Sequence, residues 1–91
     1  MQSANSVAAV VRDSLGSPMA GVLVEEFNVD WKESLRSTKT NAEGRFTFSP
    51  IRKRKIYYLQ LRMDGFNPLR VRVKVDPNIG KELQLEMNIA N

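Results

Sequence analysis

Apolar and polar residues alternate with a period of two along much of the chain. Leu69, Val71, Val73 and Val75 interleave with Arg70, Arg72 and Lys74, the pattern of a strand with one buried and one wet face. Ile56 to Met63 repeats it, with Tyr57, Leu59, Leu61 and Met63 inward and Tyr58, Gln60 and Arg62 outward. From Glu82 to Ile89, Leu83, Leu85, Met87 and Ile89 oppose Glu82, Gln84, Glu86 and Asn88. Four shorter strands are predicted upstream: Val7 to Arg12, about Gly21 to Val29, Leu35 to Thr40 with Arg36 and Lys39 exposed, and Arg45 to Phe48. Val7, Ala9 and Val11 share one face of the first, and Ala8 with Val10 makes its other face apolar too, as in a strand partly covered on both sides or an edge near another element. Glu25 and Glu26 interrupt the alternation of the second, where a bulge is expected. No segment carries a helical period.

Turn-forming residues separate these strands. Asp13-Ser14-Leu15-Gly16-Ser17-Pro18 follows the first. Asn41 and Gly44 form the turn before Phe46 and Phe48, which point together into the core. Asp64-Gly65 and Asp76-Pro77-Asn78-Ile79-Gly80 make further turns, with Phe66 folding back onto the core. Seven short strands at regular spacing predict an all-β, seven-stranded antiparallel Greek-key β-sandwich over residues 7–89. Residues 1–6 form a flexible polar leader ahead of it.

Composition removes several function classes. A chain of 91 residues is one small domain that needs most of its large apolar side chains for its core. It has no cysteine and no histidine, so disulfides, the usual general base and the commonest zinc ligand are absent together. No serine has an evident base, and no carboxylates pair at a catalytic spacing; no enzyme activity, cofactor or metal is expected. The net charge is +4, with the lysines and arginines spread along the chain and ten acids among them, which reads as a solvated surface rather than a nucleic-acid footprint. No run approaches the ~18 apolar residues of a membrane span, so membrane insertion is not expected. The leader lacks the basic and apolar regions of a signal peptide. An intracellular protein and a fragment of a larger exported chain both fit that leader.

The order of the turn and core residues carries a resemblance. Val11-Arg12-Asp13, Gly16 and Pro18-Met19-Ala20-Gly21-Val22-Leu23-Val24 are similar to a strand ending in V-x-D, a glycine turn and P-L-x-G-A-x-V. Thr40-Asn41-Ala42-Glu43-Gly44-Arg45-Phe46-Thr47-Phe48 is similar to T-D-x-x-G-x-F-x-F, and Tyr57, Leu59 and Leu61 followed by Gly65-Phe66 resemble a closing Y-x-L…G-F. Together these resemble the carboxypeptidase regulatory-like domains of the transthyretin-like, or prealbumin-like, group, over roughly residues 7–89. The resemblance implies a seven-stranded sandwich that accompanies another activity in a secreted, periplasmic or cell-surface protein. Its implied roles are structural support, protein–protein contact and, in some relatives, glycan binding. Asn41 stands where the pattern most often has aspartate, and either residue makes the turn. Related adhesin repeats join a first-strand lysine to a last-strand asparagine; the first strand here has no lysine, so Asn88 is expected to form no such crosslink.

Two clusters are candidates for binding. Trp31, in the polar loop Asn28 to Ser34 with Phe27 and Tyr58 as possible neighbours, offers a stacking platform for a sugar; the favoured alternative is a lid folded onto the core. Arg70, Arg72 and Lys74, joined by Arg62 and Tyr58, form a cationic stripe suited to an acidic partner. A hairpin between the last two strands would set Glu82 and Glu86 beside that stripe and neutralise it, and this is the favoured alternative. Arg52-Lys53-Arg54-Lys55 reads as a solvated loop rather than a polyanion or lipid contact. Asn41, Glu43 and Asp13 supply too few oxygens for a hard cation. The expected function is that of a non-enzymatic accessory module acting on a protein partner or a neighbouring domain, with glycan binding as the second option. Edge-strand self-association stays open.

Overall fold

The computed structural model describes residues 2–4, 7–49, 56–75 and 82–90, and all of their regular structure is β. Among these described residues eight strands occur: β1 (Gln2–Ala4), β2 (Ala8–Arg12), β3 (Leu23–Phe27), β4 (Ser34–Lys39), β5 (Arg45–Thr47), β6 (Ile56–Arg62), β7 (Leu69–Val75) and β8 (Leu83–Glu86). They form a five-stranded sheet in the order β1-β7-β6-β3-β4 and a three-stranded sheet in the order β5-β2-β8. The seven expected strands are β2 to β8. Residues 2–4, expected within a flexible leader, lie instead parallel to β7, from Gln2↔Val73 to Ala4↔Val75.

The core fills the space between the sheets. Tyr57, Leu59, Leu61, Val24 and Val73 from the larger sheet meet Val7, Ala9, Val11, Phe46, Phe48, Leu83, Leu85 and Met87 from the smaller. Met63, Phe66, Leu69, Val71 and Val75 are partly buried against this cluster. Phe46 and Phe48 pack edge to face with centroids 6.1 Å apart. The register shift between Glu26 and Phe27 places a bulge at the end of β3, where the paired glutamates disturb the alternation.

Three expectations are corrected. The last two strands form no hairpin: β7 pairs with β6 and β1, while β8 pairs parallel with β2, from Ala9↔Leu83 to Arg12↔Glu86. Alternation marks one apolar face on each strand but does not say which sheet receives it. Arg36 is not fully exposed. It lies opposite Glu26 on β3, its Nε is 2.6 Å from the buried Glu26 carboxylate, and its guanidinium sits 4.7 Å from the Phe48 ring centroid. Ile89, expected inward, is 65% exposed; it lies beyond the end of β8 and bridges to Phe66.

Candidate functional site

The outer face of the five-stranded sheet is built by the polar half of each alternation. Arg70, Arg72 and Lys74 on β7 lie opposite Gln60, Tyr58 and Ile56 on β6. Gln60 and Tyr58 in turn lie opposite Glu25 and Phe27 on β3. The loop between β3 and β4 brings Trp31 onto this face. There the indole contacts Tyr58 edge-on at 5.5 Å, Phe27 in a tilted arrangement at 6.1 Å and the Arg70 guanidinium at 4.9 Å. Trp31 is therefore not a lid on the core. It belongs to an aromatic cluster on the opposite side of the sheet.

Local chemistry explains this placement. The Asn28 side-chain oxygen accepts hydrogen bonds from the Lys32 and Glu33 amides, at 3.0 and 3.2 Å. The Trp31 amide donates to the Asn28 carbonyl at 3.0 Å. Trp31 takes φ +62°, the left-handed region that β-carbons resist. The loops at Asp13 and Asn41 share this design, with Gly16 (φ +86°) and Gly44 (φ +76°) at the corresponding third position. Trp31 thus occupies a backbone site filled by glycine in its two counterparts.

Arg70 is held from two sides. Its Nε donates to Gln60 Oε1 at 2.8 Å and its plane lies over Trp31. Its Nη1 and Nη2 make no hydrogen bond to another described residue. Arg72 and Lys74 likewise have no ion-pair partner among the described residues. The acids expected to neutralise this stripe are on the other sheet: Glu82 pairs with Arg45 at 3.1 Å, and Glu86 lies opposite Arg12 on β2. Arg62 shares the face but not the cluster, since it bridges to Glu25 at 2.6 Å. The run Arg52 to Lys55 lies outside the described residues.

A shallow apolar depression of about 280 Å³ adjoins the cluster, lined by Phe27, Asn28, Val29, Leu35, Ile56 and Tyr58. Sequence reading had named Phe27 and Tyr58 but not Val29, Leu35 or Ile56. Val29 and Leu35 are exposed and Ile56 stands on the outward side of β6, positions that give little signal, and only the fold shows that these three converge. A second, more open depression of about 600 Å³ lies around Arg62, Lys39 and Asp64. Among the described residues no group of three or more potential metal-ligating side chains is brought together. The acceptors at Asn41 are taken up by the turn itself, whose Oδ1 receives the Glu43 and Arg45 amides at 3.0 and 2.9 Å.

The sheet order, the two glycine turns and the buried Phe46 and Phe48 bear on family membership. The family model described as the carboxypeptidase regulatory-like domain matches residues 6–88. The chain belongs to that family. No curated protein matches it. Regulatory-like domains have a transthyretin-like fold and are non-catalytic modules. Most residues shared with the family pattern are turn and core residues. In this regulatory-like domain the aromatic–cationic cluster lies on the outer sheet face, apart from the Asn41–Phe48 signature.

Proposed function

We propose that this regulatory-like domain is a non-catalytic binding module of a larger secreted or cell-envelope protein, and that it docks a protein partner or a neighbouring domain on the outer face of its five-stranded sheet. The observation that carries this reading is the joining of Trp31, Tyr58 and Phe27 to Arg70 and Arg72 on one solvent-facing surface. Aromatic side chains and arginine are the residue types that anchor protein interfaces. Arg70 and Arg72 beside them have no ion-pair partner among the described residues.

The second reading is a carbohydrate-binding module built on Trp31. It is disfavoured because the Arg70 guanidinium already covers one face of the indole, the surface on which a sugar would stack. Two-dimensional amide NMR during titration with acidic peptides and with neutral oligosaccharides separates the two. The expected result is peptide-dependent shifts at Phe27, Trp31, Tyr58, Arg70 and Arg72. Shifts produced by neutral oligosaccharides alone would favour the carbohydrate reading, and a face untouched by every ligand would overturn both.

A further inference from the structure

Resting on the binding face proposed above, we infer that its occupant is an extended peptide segment that carries acidic side chains and one large apolar side chain. The carboxylates sit on Arg70 and Arg72, and the apolar group enters the depression between Phe27, Val29, Leu35, Ile56 and Tyr58. Val29 is 71% and Leu35 41% exposed, so this depression has an apolar rim in open solvent. Its volume of about 280 Å³ leaves room for one large apolar side chain. Apolar shape and positive charge therefore lie side by side, and a matching ligand must supply both complements.

The spacing selects an extended chain. Arg70, Arg72 and Lys74 are alternate residues of one strand, so they repeat at about 6.6 Å along it. Acidic side chains at alternate positions of an extended peptide repeat at the same distance. Arg70 is the anchor because its orientation is set before any ligand arrives: Gln60 holds Nε and Trp31 supports the plane. A guanidinium fork presented in this way matches a carboxylate in a bidentate manner, with little ordering left to do. The positive φ of Trp31 shows the loop holding an indole where glycine would be relaxed, and strained positions of this kind cluster at ligand-binding sites. A uniform polyanion fits less well. Glu25 lies in the same face, and half of the site is apolar.

The test uses a fluorescein-labelled synthetic peptide that alternates glutamate with serine and carries one leucine, followed by anisotropy. Two control peptides replace glutamate by glutamine or leucine by serine; heparin and a neutral hexasaccharide are separate probes. Binding is expected for the Glu–Leu peptide and should weaken roughly ten-fold in Arg70→Gln, with a smaller loss in Arg70→Lys. Each control peptide should also bind more weakly. Trp31→Gly should weaken binding while the melting curve shows a folded domain, because glycine accepts the backbone conformation at that position. Leu35→Ser is an independent variant on the apolar half and should weaken the Glu–Leu peptide but not its leucine-free control. Peptide affinity unchanged in both Arg70→Gln and Trp31→Gly would overturn the inference. Heparin or the hexasaccharide binding this face in place of the peptide would overturn the peptide assignment and leave the binding face standing. Amide shifts on this face with none of the probes would remove the binding-face reading itself.

Discussion

Asp13, Asn28 and Asn41 each use one side-chain oxygen to gather two loop amides, and each loop places its third following residue at positive φ. The three loops differ in how much room surrounds that residue. A β-carbon on Gly44 would lie 2.6 Å from the Val11 carbonyl oxygen and 2.9 Å from the Met19 amide nitrogen, whereas one on Gly16 would meet nothing within 4 Å. Gly16→Ala should therefore cost only the left-handed penalty, about 1–2 kcal/mol. Gly44→Ala adds overpacking against backbone, for a total of about 3 kcal/mol. Urea denaturation of the two variants checks this, and equal losses would show that crowding at Gly44 is unimportant. Trp31 balances the same conformational penalty against two ring contacts worth about 0.5–1.5 kcal/mol each. Trp31→Gly is accordingly expected to change stability by no more than about 2 kcal/mol. Gly44 was legible in the sequence because glycine in a turn announces its backbone. The corresponding role of Trp31 was not, because tryptophan normally signals burial rather than a left-handed turn.

At the level of elements, β3 and β4 show why alternation misled at Arg36. Glu26 occupies an inward position of β3 and is fully buried, and Arg36 answers it from the facing position of β4. Each charge alone reads as outward; the pair is stable inside because each partner compensates the other. Arg36 also donates to the Ser49 carbonyl at 2.7 Å, which ties β4 to the chain leaving β5. Its Nη2 is buried without a hydrogen-bond partner, so the arrangement is costly to desolvate. Arg36→Ala, which takes the Arg36 ion pair from the buried Glu26 carboxylate, should destabilise the domain by about 3–5 kcal/mol. The double replacement Glu26→Leu with Arg36→Met removes both charges and should recover most of that loss. Chemical denaturation of the single and double variants measures the difference. A double variant no more stable than Arg36→Ala would show that the loss comes from packing or the Ser49 contact rather than from the lost Arg36–Glu26 ion pair.

At the scale of the whole molecule, the sandwich was legible because its inward faces are periodic and its turns carry Asn, Asp and Gly at the required places. Strand pairing was less legible. A strand such as β8 offers the same alternation to either sheet, and the 76–81 segment that would decide between hairpin and crossover has no period of its own. The proposed face was named from the sequence but set aside for a related reason: its expected neutralisation by Glu82 and Glu86 depended on the wrong pairing. The actual topology makes the smaller sheet depend on the last strand. β2 lies between β5 and β8, and β8 with the residue beyond it contributes the buried Leu83, Leu85 and Met87. Removing residues 82–91 would leave β2 unpaired along one side and open the core where three large side chains had been. Each such loss costs about 2–5 kcal/mol, which together rivals the ~5–15 kcal/mol that holds a domain folded. The truncated chain should therefore lose amide dispersion by NMR, and a synthetic peptide spanning 82–91 should restore it by adding a parallel strand beside β2. A truncated chain that stays dispersed without the peptide would show that β5 and β2 suffice to close the sandwich.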